Sequence, residues 1–275
     1  MDNSRLIIVN NSSKYIFLFK KNLIRSLIES NFSVTVVSPN DGYADRIPEL
    51  GAEYLNIKMD TNGMNPFKDL GYLFALIKCY KKIQPIAILT FTVKPNIYGT
   101  FIAGLLGIKS INNITGLGSI FLKNGVMQSF VKSLYRASFN FSTRVMFQNK
   151  TDKALFISAN LVDPAKAELI PGSGVDTAHF KPLKVNRSGK IVFLMISRIL
   201  EDKGVFEYIE AARLMKARFS NAEFWLLGDC DSGNPSSIGR EAIKGWEADN
   251  IIRYLGEVED VREFIAQSEV VVLPS

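Results

Sequence analysis

Two cations that leave one buried strand together are the first chemistry this sequence offers. In SRILEDKG, Ser197 to Gly204, Arg198 and Lys203 project from a strand-to-helix loop beside a helix N-terminus. Two positive charges with oriented backbone N–H groups suit a diphosphate. The competing reading is a pair of solvated charges neutralised by Glu201 and Asp202. A second candidate is ITGLGSIF, Ile114 to Phe121, where Gly116 and Gly118 either let backbone approach a ligand or make a plain turn. It is not the dinucleotide fingerprint, because Phe stands at 121 and the loop is not the first strand-to-helix turn. That first turn, NNSS at 10–13, contains no Gly, which counts against nicotinamide and flavin chemistry, and no cofactor is expected. In TFTVKPN, Lys94 sits just past a strand's carboxyl end, placed to hold a phosphate or a sugar hydroxyl, or to be an ordinary loop lysine. The pair Asp229 and Asp231 in GDCD reads as a polar turn, so no metal is expected, and the lone His179 falls in a linker.

These residues need a scaffold that alternates strands with helices, and the sequence supplies one. Leu6–Asn10 is an apolar strand run, followed by a helix in which Ile16, Phe19, Leu23, Ile24, Leu27 and Ile28 recur at helical spacing. Strand runs follow at Phe32–Val37, Glu53–Lys58, Ile86–Phe91, Lys109–Asn113, Thr143–Phe147 and Ala167–Ile170, with helices between most of them. Residues 170–190 are rich in Gly, Pro and Ser and lack any period, which predicts a linker. The alternation restarts with strands Ile191–Ser197, Glu223–Leu227, Ile251–Leu255 and Val270–Leu273. The expectation is an α/β protein of two doubly wound parallel-sheet domains facing a cleft. Its boundaries are 1–170 for the first domain, 171–189 for the hinge and 190–275 for the second. The chain ends on VVVLPS, at the carboxyl end of a strand, so the second domain is expected to be incomplete and the chain a fragment of impaired activity.

Composition narrows the classes. With 275 residues, 47% hydrophobic and 22% charged, the chain is an ordinary globular one, neither disordered nor fibrous. Two Cys make no disulfide framework, and the start MDNSRLIIVN lacks the basic and long apolar regions of a signal peptide. The stretch Ile86 to Ile108 is interrupted by Lys94, Pro95 and Asn96, so it does not read as a membrane span. The net charge is uneven: residues 1–183 carry 21 basic and 12 acidic groups, the remainder 12 and 15. No Asp or Glu lies between Asp69 and Asp152, an interval with ten Lys and Arg. A field of one sign over that length suits phosphates, an acidic membrane surface or nucleic acid, or is simply a mildly basic soluble domain. Lys14, Lys20, Lys21 and Arg25 among Phe17, Leu18 and Phe19 could lie on an anionic membrane, although such faces are more often packed core with a solvated rim.

Taken in order, GMNPFKDL (63–70), TFTVKPNIYG (90–99), ITGLG (114–118), VMFQNKTD (145–152), LIPGSGVDTAHFKP (169–182), SRILEDKG (197–204), LLGDCD (226–231) and LGEVEDV (255–261) resemble the family 4 retaining glycosyltransferases of the GT-B fold. The similarity is strongest to the bacterial branch that assembles capsule, O-antigen and lipid-linked oligosaccharides. It implies a nucleotide-diphosphate-sugar donor, UDP-linked, in the second domain and a polyprenyl-diphosphate-linked acceptor in the first. It implies that Arg198 and Lys203 neutralise the donor diphosphate, and that Gly228, Asp229, Gly256, Glu257 and Val258 surround the nucleoside. Lys94, Thr115, Gly116 and Gly118 match first-domain positions facing sugar and acceptor, and Lys20 stands where relatives often carry Arg. The chemistry implied is metal-independent transfer of a hexose or N-acetylhexosamine with retention, by a peripheral protein on the inner face of the cytoplasmic membrane. Two departures bear on this: Thr115 replaces a His found in many members, and the paired-glutamate motif is expected beyond VVVLPS. The alternative is a non-catalytic remnant acting as a membrane-associated binding module. A sugar-nucleotide 2-epimerase would share the architecture but calls for His and carboxylate acid/base groups. Nucleic-acid binding would explain the charge but not the loops at 114–118 and 197–204.

Overall fold

Near-continuous apolar runs, such as Leu6–Val9 and Val34–Val37, put buried side chains on both faces of the strands and favour a parallel sheet covered by helices on each side. The structure, a computed structural model, describes residues 4–61, 63, 65–117, 125–184, 189–230, 234 and 236–274. The chain divides into two units after Val175. The first holds β1 (Arg5–Val9), α1 (Ser13–Phe19), α2 (Lys21–Glu29), β2 (Ser33–Ser38), β3 (Glu53–Asn56), α3 (Pro66–Ile83), β4 (Ala87–Phe91) and α4 (Thr100–Leu105). It continues with β5 (Lys109–Ile114), α5 (Val126–Phe139), β6 (Arg144–Phe147), α6 (Lys150–Ser158) and β7 (Ala167–Leu169). Its seven strands are ordered β3-β2-β1-β4-β5-β6-β7, each described pair parallel. On β1, Ile8 faces a core with Ile16 and Ile24, while Ile7 and Val9 face Tyr72, Leu76 and Tyr80 of α3.

The helix anticipated from Lys14 to Glu29 is two helices. The break is at Lys20, whose φ of −123° and ψ of 5° leave the helical region. This turns Phe19 outward, 61% exposed, and Lys20 inward, 7% exposed, reversing what the hydrophobic spacing implied for both. Phe17 is covered as well, with the Arg46 guanidinium 4.1 Å from its ring. Of the basic, aromatic face read there, Lys20 is buried and Phe17 half-buried, while Phe19 and Arg25 stay exposed. The helix expected from Asn96 begins instead with a widened π-turn, Pro95–Gly99, before α4. Buried polar side chains hold that turn. Thr90 Oγ1 donates to Asn96 Oδ1 (2.7 Å), while Asn112 Nδ2 donates to Thr90 Oγ1 (2.7 Å) and accepts through Oδ1 from Ser142 (2.7 Å). A wholly buried network of this kind fixes one geometry because each missing partner would be costly.

The second unit carries β8 (Ile191–Ile196), α7 (Val205–Lys216), β9 (Ala222–Leu227), α8 (Arg240–Ala248), β10 (Arg253–Gly256), α9 (Arg262–Gln267) and β11 (Val270–Val271). Its strand order is β10-β9-β8-β11, again parallel. Each sheet therefore reverses direction beside its first strand, between β1 and β4 in the first and between β8 and β11 in the second. In open α/β sheets, ligands bind in the crevice outside such a reversal.

Candidate active site

In the second unit, the reversal of strand order falls where Ser197–Gly204 leaves β8. The loop is pinned to the segment after β9 by four backbone bonds: Ser197 N–H to Leu227 O (3.0 Å), Ile199 N–H to Asp229 O (2.9 Å), Glu201 N–H to Ser236 O (3.0 Å) and Ile238 N–H to Ile199 O (3.0 Å). Gly228 makes the close approach possible. Its φ is +149°, and a Cβ there would lie 1.7 Å from Ser197 O. Gly228 N–H donates to Gly256 O (2.8 Å) and Tyr254 Oη donates to Gly228 O (2.7 Å), tying the third strand end to the other two. Arg198, Gly228, Asp229 and Gly256 thus come together at one sheet edge. Glu257 is exposed beyond them, and Val258 packs on Val192, Leu194, Trp225 and Leu227.

Arg198 is exposed and Lys203 partly so, and among the described residues neither has a carboxylate partner. Among the described residues, Glu201 and Asp202, adjacent in sequence, form no ion pair with either of them. Ser197 Oγ is buried with no partner among the described residues. Gly204, with φ +72°, is the N-cap of α7, and among the described residues no side chain caps the first N–H groups of that helix. At α1 the same position is occupied: Asp41 accepts from Ser12 Oγ (2.5 Å), Ser13 Oγ and the Lys14 N–H (3.0 Å).

In the first unit, the strand-order reversal brings together Asn10 and Asn11 after β1 and Thr92 after β4. Thr92 has φ +69°, a strained value for a β-branched residue. The side-chain oxygens Asn10 Oδ1, Asn11 Oδ1 and Thr92 Oγ1 are buried and lack partners among the described residues. Lys20 Nζ stands 4.7 Å from the centre of the Phe91 ring and donates to Ser173 Oγ (2.8 Å). Burial lowers its pKa, since removal from water disfavours the charged form. Lys94 is not a free cation: it meets Asp69 Oδ1 at 2.5 Å, and Tyr98 Oη donates to Asp69 Oδ2 at 2.9 Å. Burial and the bond to Asp69 raise the Tyr98 pKa, keeping the phenol protonated. Asn96 Nδ2 donates to Asn113 O (3.0 Å), coupling the turn after Lys94 to the strand that leads to Thr115 and Gly116. Both of those residues are exposed, and Gly116 has φ +142°. Gly118 and Asp231 lie outside the described residues.

Sequence reasoning did not find Asp69, Ser173, Ser197 or Thr92. Asp69 carried a signal, as the last acid before the acid-free stretch. The others had none, because their significance is a contact or a backbone angle.

Comparison with known proteins defines the class. The chain belongs to the glycosyl transferase 4-like family, matched over residues 6–149, and residues 190–275 match the glycosyl transferases group 1 family. It is 27% identical to the N,N'-diacetylbacillosaminyl-diphospho-undecaprenol alpha-1,3-N-acetylgalactosaminyltransferase of Campylobacter jejuni, over 98% of this chain and 74% of that protein. It is 26% identical to the Escherichia coli UDP-Gal:alpha-D-GlcNAc-diphosphoundecaprenol alpha-1,3-galactosyltransferase, over 76% of this chain and 56% of that relative. Among solved structures, Anabaena HepE in complex with UDP and glucose matches with a TM-score of 0.76 at 14% identity, covering 98% of this chain and 74% of the other. The architecture is the GT-B glycosyltransferase fold.

Proposed function

We propose that this chain transfers a hexose or N-acetylhexosamine, with retention, from a UDP-sugar to a saccharide carried on a polyprenyl diphosphate in surface-glycan assembly. The observation that carries the reading is the pair Arg198 and Lys203, two cations without a described counter-charge on a loop pinned at the strand-order reversal beside an uncapped helix. Breaking a glycosidic bond to a diphosphate leaves negative charge on the departing oxygen. Cations already fixed at that point stabilise the charge as it develops, with little reorganisation. Gly228, Asp229 and the turn at Gly256, Glu257 and Val258 would surround the nucleoside. In the first unit, Lys20, Thr115 and Gly116 would face the acceptor. Lys94, held by Asp69, whose other oxygen accepts from Tyr98, would present an oriented ammonium rather than a mobile one. The two relatives named above, both acting on undecaprenyl-diphosphate-linked sugars, support the acceptor class, and their alpha-linked products support retention. An acceptor embedded in lipid would bring the protein to the inner face of the cytoplasmic membrane. Among the described residues no helix is long and apolar enough to cross it.

Calorimetric titration of UDP tests the donor reading. Saturable binding is expected for the chain, with affinity reduced about 100-fold in Arg198→Ala/Lys203→Ala, as two charge-assisted hydrogen bonds are lost. Equal affinity in the two proteins would overturn the assignment.

A further inference from the structure

The strand-order reversal of the first sheet buries more polar oxygen than the described chain satisfies. β1 and β4 run side by side with Val9 opposite Thr90, so Asn10 and Asn11 leave the sheet next to Thr92. Asn10 is 3% exposed, and its Oδ1, Asn11 Oδ1 and Thr92 Oγ1 are buried with no partner among the described residues. A buried oxygen without a partner destabilises a fold. Several of them together, at the place where open α/β sheets bind ligands, point to groups supplied from outside the chain.

The backbone there is held in place rather than relaxed. Thr92 keeps φ +69°, a value that a β-branched residue adopts only when its surroundings impose it. Its carbonyl accepts from Asn96 N–H (3.0 Å) at the entry to the widened turn Pro95–Gly99. Asn96 is fixed in turn by the buried Thr90 and Asn112 side chains. Widened turns of this kind recur at functional sites. The buried network beneath the turn therefore sets the backbone that carries the Thr92 hydroxyl.

The balance of donors and acceptors selects the ligand. A carboxamide oxygen can only accept, whereas a threonine hydroxyl accepts and donates. A phosphate brings oxygens and negative charge, which the two amide oxygens would repel. The nearby cations are engaged: Lys94 meets Asp69, and Lys20 lies against the Phe91 ring and donates to Ser173 Oγ. A sugar ring brings several O–H donors and no charge. We propose that Asn10, Asn11 and Thr92 form the subsite that reads the ring hydroxyls of the acceptor saccharide, with its diphosphate held elsewhere. A site built to bond a hydroxyl discriminates strongly against a ring that lacks it, so these residues set acceptor specificity. The inference rests on the reading that the first unit takes the acceptor.

The test is saturation-transfer NMR with the methyl α-glycosides of glucose, galactose, N-acetylglucosamine and N-acetylgalactosamine, rings that carry neither phosphate nor lipid. At least one is expected to receive saturation from the chain and to keep it in excess inorganic pyrophosphate. Asn10→Leu and Thr92→Val each remove one oxygen while nearly keeping the shape of the side chain. Affinity for that glycoside should fall about tenfold in either variant, as one hydrogen bond is lost. The melting temperature should stay level or rise in both, because an unmet buried oxygen has been removed. Arg198→Ala/Lys203→Ala should leave the saturation unchanged, which separates an acceptor ring from a sugar that arrives on the nucleotide. Unaltered affinity in both oxygen-deleting variants, a lowered melting temperature in both, or displacement by pyrophosphate would each overturn the subsite. So would loss of saturation in Arg198→Ala/Lys203→Ala, or no saturation of any glycoside by a chain that binds UDP. Saturation that depends on Asn10 and Thr92 in a chain with no affinity for UDP would support the subsite and count against the donor reading instead.

Discussion

Lys20 is a residue whose energetic cost and proposed use point in opposite directions. Its ammonium is buried, one serine hydroxyl and one aromatic face are its described partners, and burial lowers its pKa from the ordinary 10.5. Between the lowered value and 10.5, the unfolded chain holds more protons at this site than the folded chain does. Stability should therefore rise with pH across that window and bear the full burial cost below it. Lys20→Met removes the cost while keeping the length of the side chain. It should gain on the order of 1 kcal/mol in urea unfolding at neutral pH, as when other buried charges are replaced by apolar groups. It should also abolish this contribution to the pH slope. Acceptor-dependent sugar transfer should fall at least tenfold in the same variant. A protein both less stable and fully active would show that Lys20 is a structural residue.

At the scale of elements, three strand ends in the second unit are held in register by one glycine. Gly228→Ala would drive a methyl group into Ser197 O, which is backbone and cannot swing aside. The expected loss is about 2 kcal/mol of stability or more, with UDP affinity falling because the Arg198 loop shifts. Gly245→Ala, in the interior of α8 with open space around its Cβ, should instead be neutral or stabilising by a few tenths to about 1 kcal/mol. Urea titration of the two variants side by side separates a close-approach glycine from an ordinary one. The contrast also marks how far the sequence could be read. Strands such as Leu6–Asn10 were legible because apolar, β-branched runs between turn residues have few other uses. The start of α3 was legible because Asn65 caps Phe67 and Lys68 and Pro66 sits where no N–H is needed. The break at Lys20 was not, since the apolar spacing runs through it unaltered. The partner of Lys94 was hidden as well, because Asp69 lies 25 residues away and only packing brings it back. Gly228 was singled out by resemblance, and the reason for it emerged only with the approach of Ser197.

For the molecule as a whole, the proposed division of labour assigns the nucleotide to the second unit, and the chain carries its own reporters for that claim. Its two tryptophans, Trp225 on β9 and Trp246 on α8, are both in the second unit and both buried. Tryptophan emission during heating therefore follows the unfolding of that unit, whereas far-UV circular dichroism follows the helices and strands of both. A ligand that binds only the folded second unit stabilises it by about 2.7 kcal/mol when present at about 100 times its dissociation constant. For a unit of this size that raises the transition temperature by roughly 10 °C. UDP should produce this rise in the tryptophan-reported transition, and the rise should vanish at the same UDP concentration in Arg198→Ala/Lys203→Ala. A UDP-dependent shift in the circular dichroism transition that left the tryptophan transition in place would put the nucleotide on the first unit. The assignment of donor and acceptor to their respective sheets would then have to be reversed.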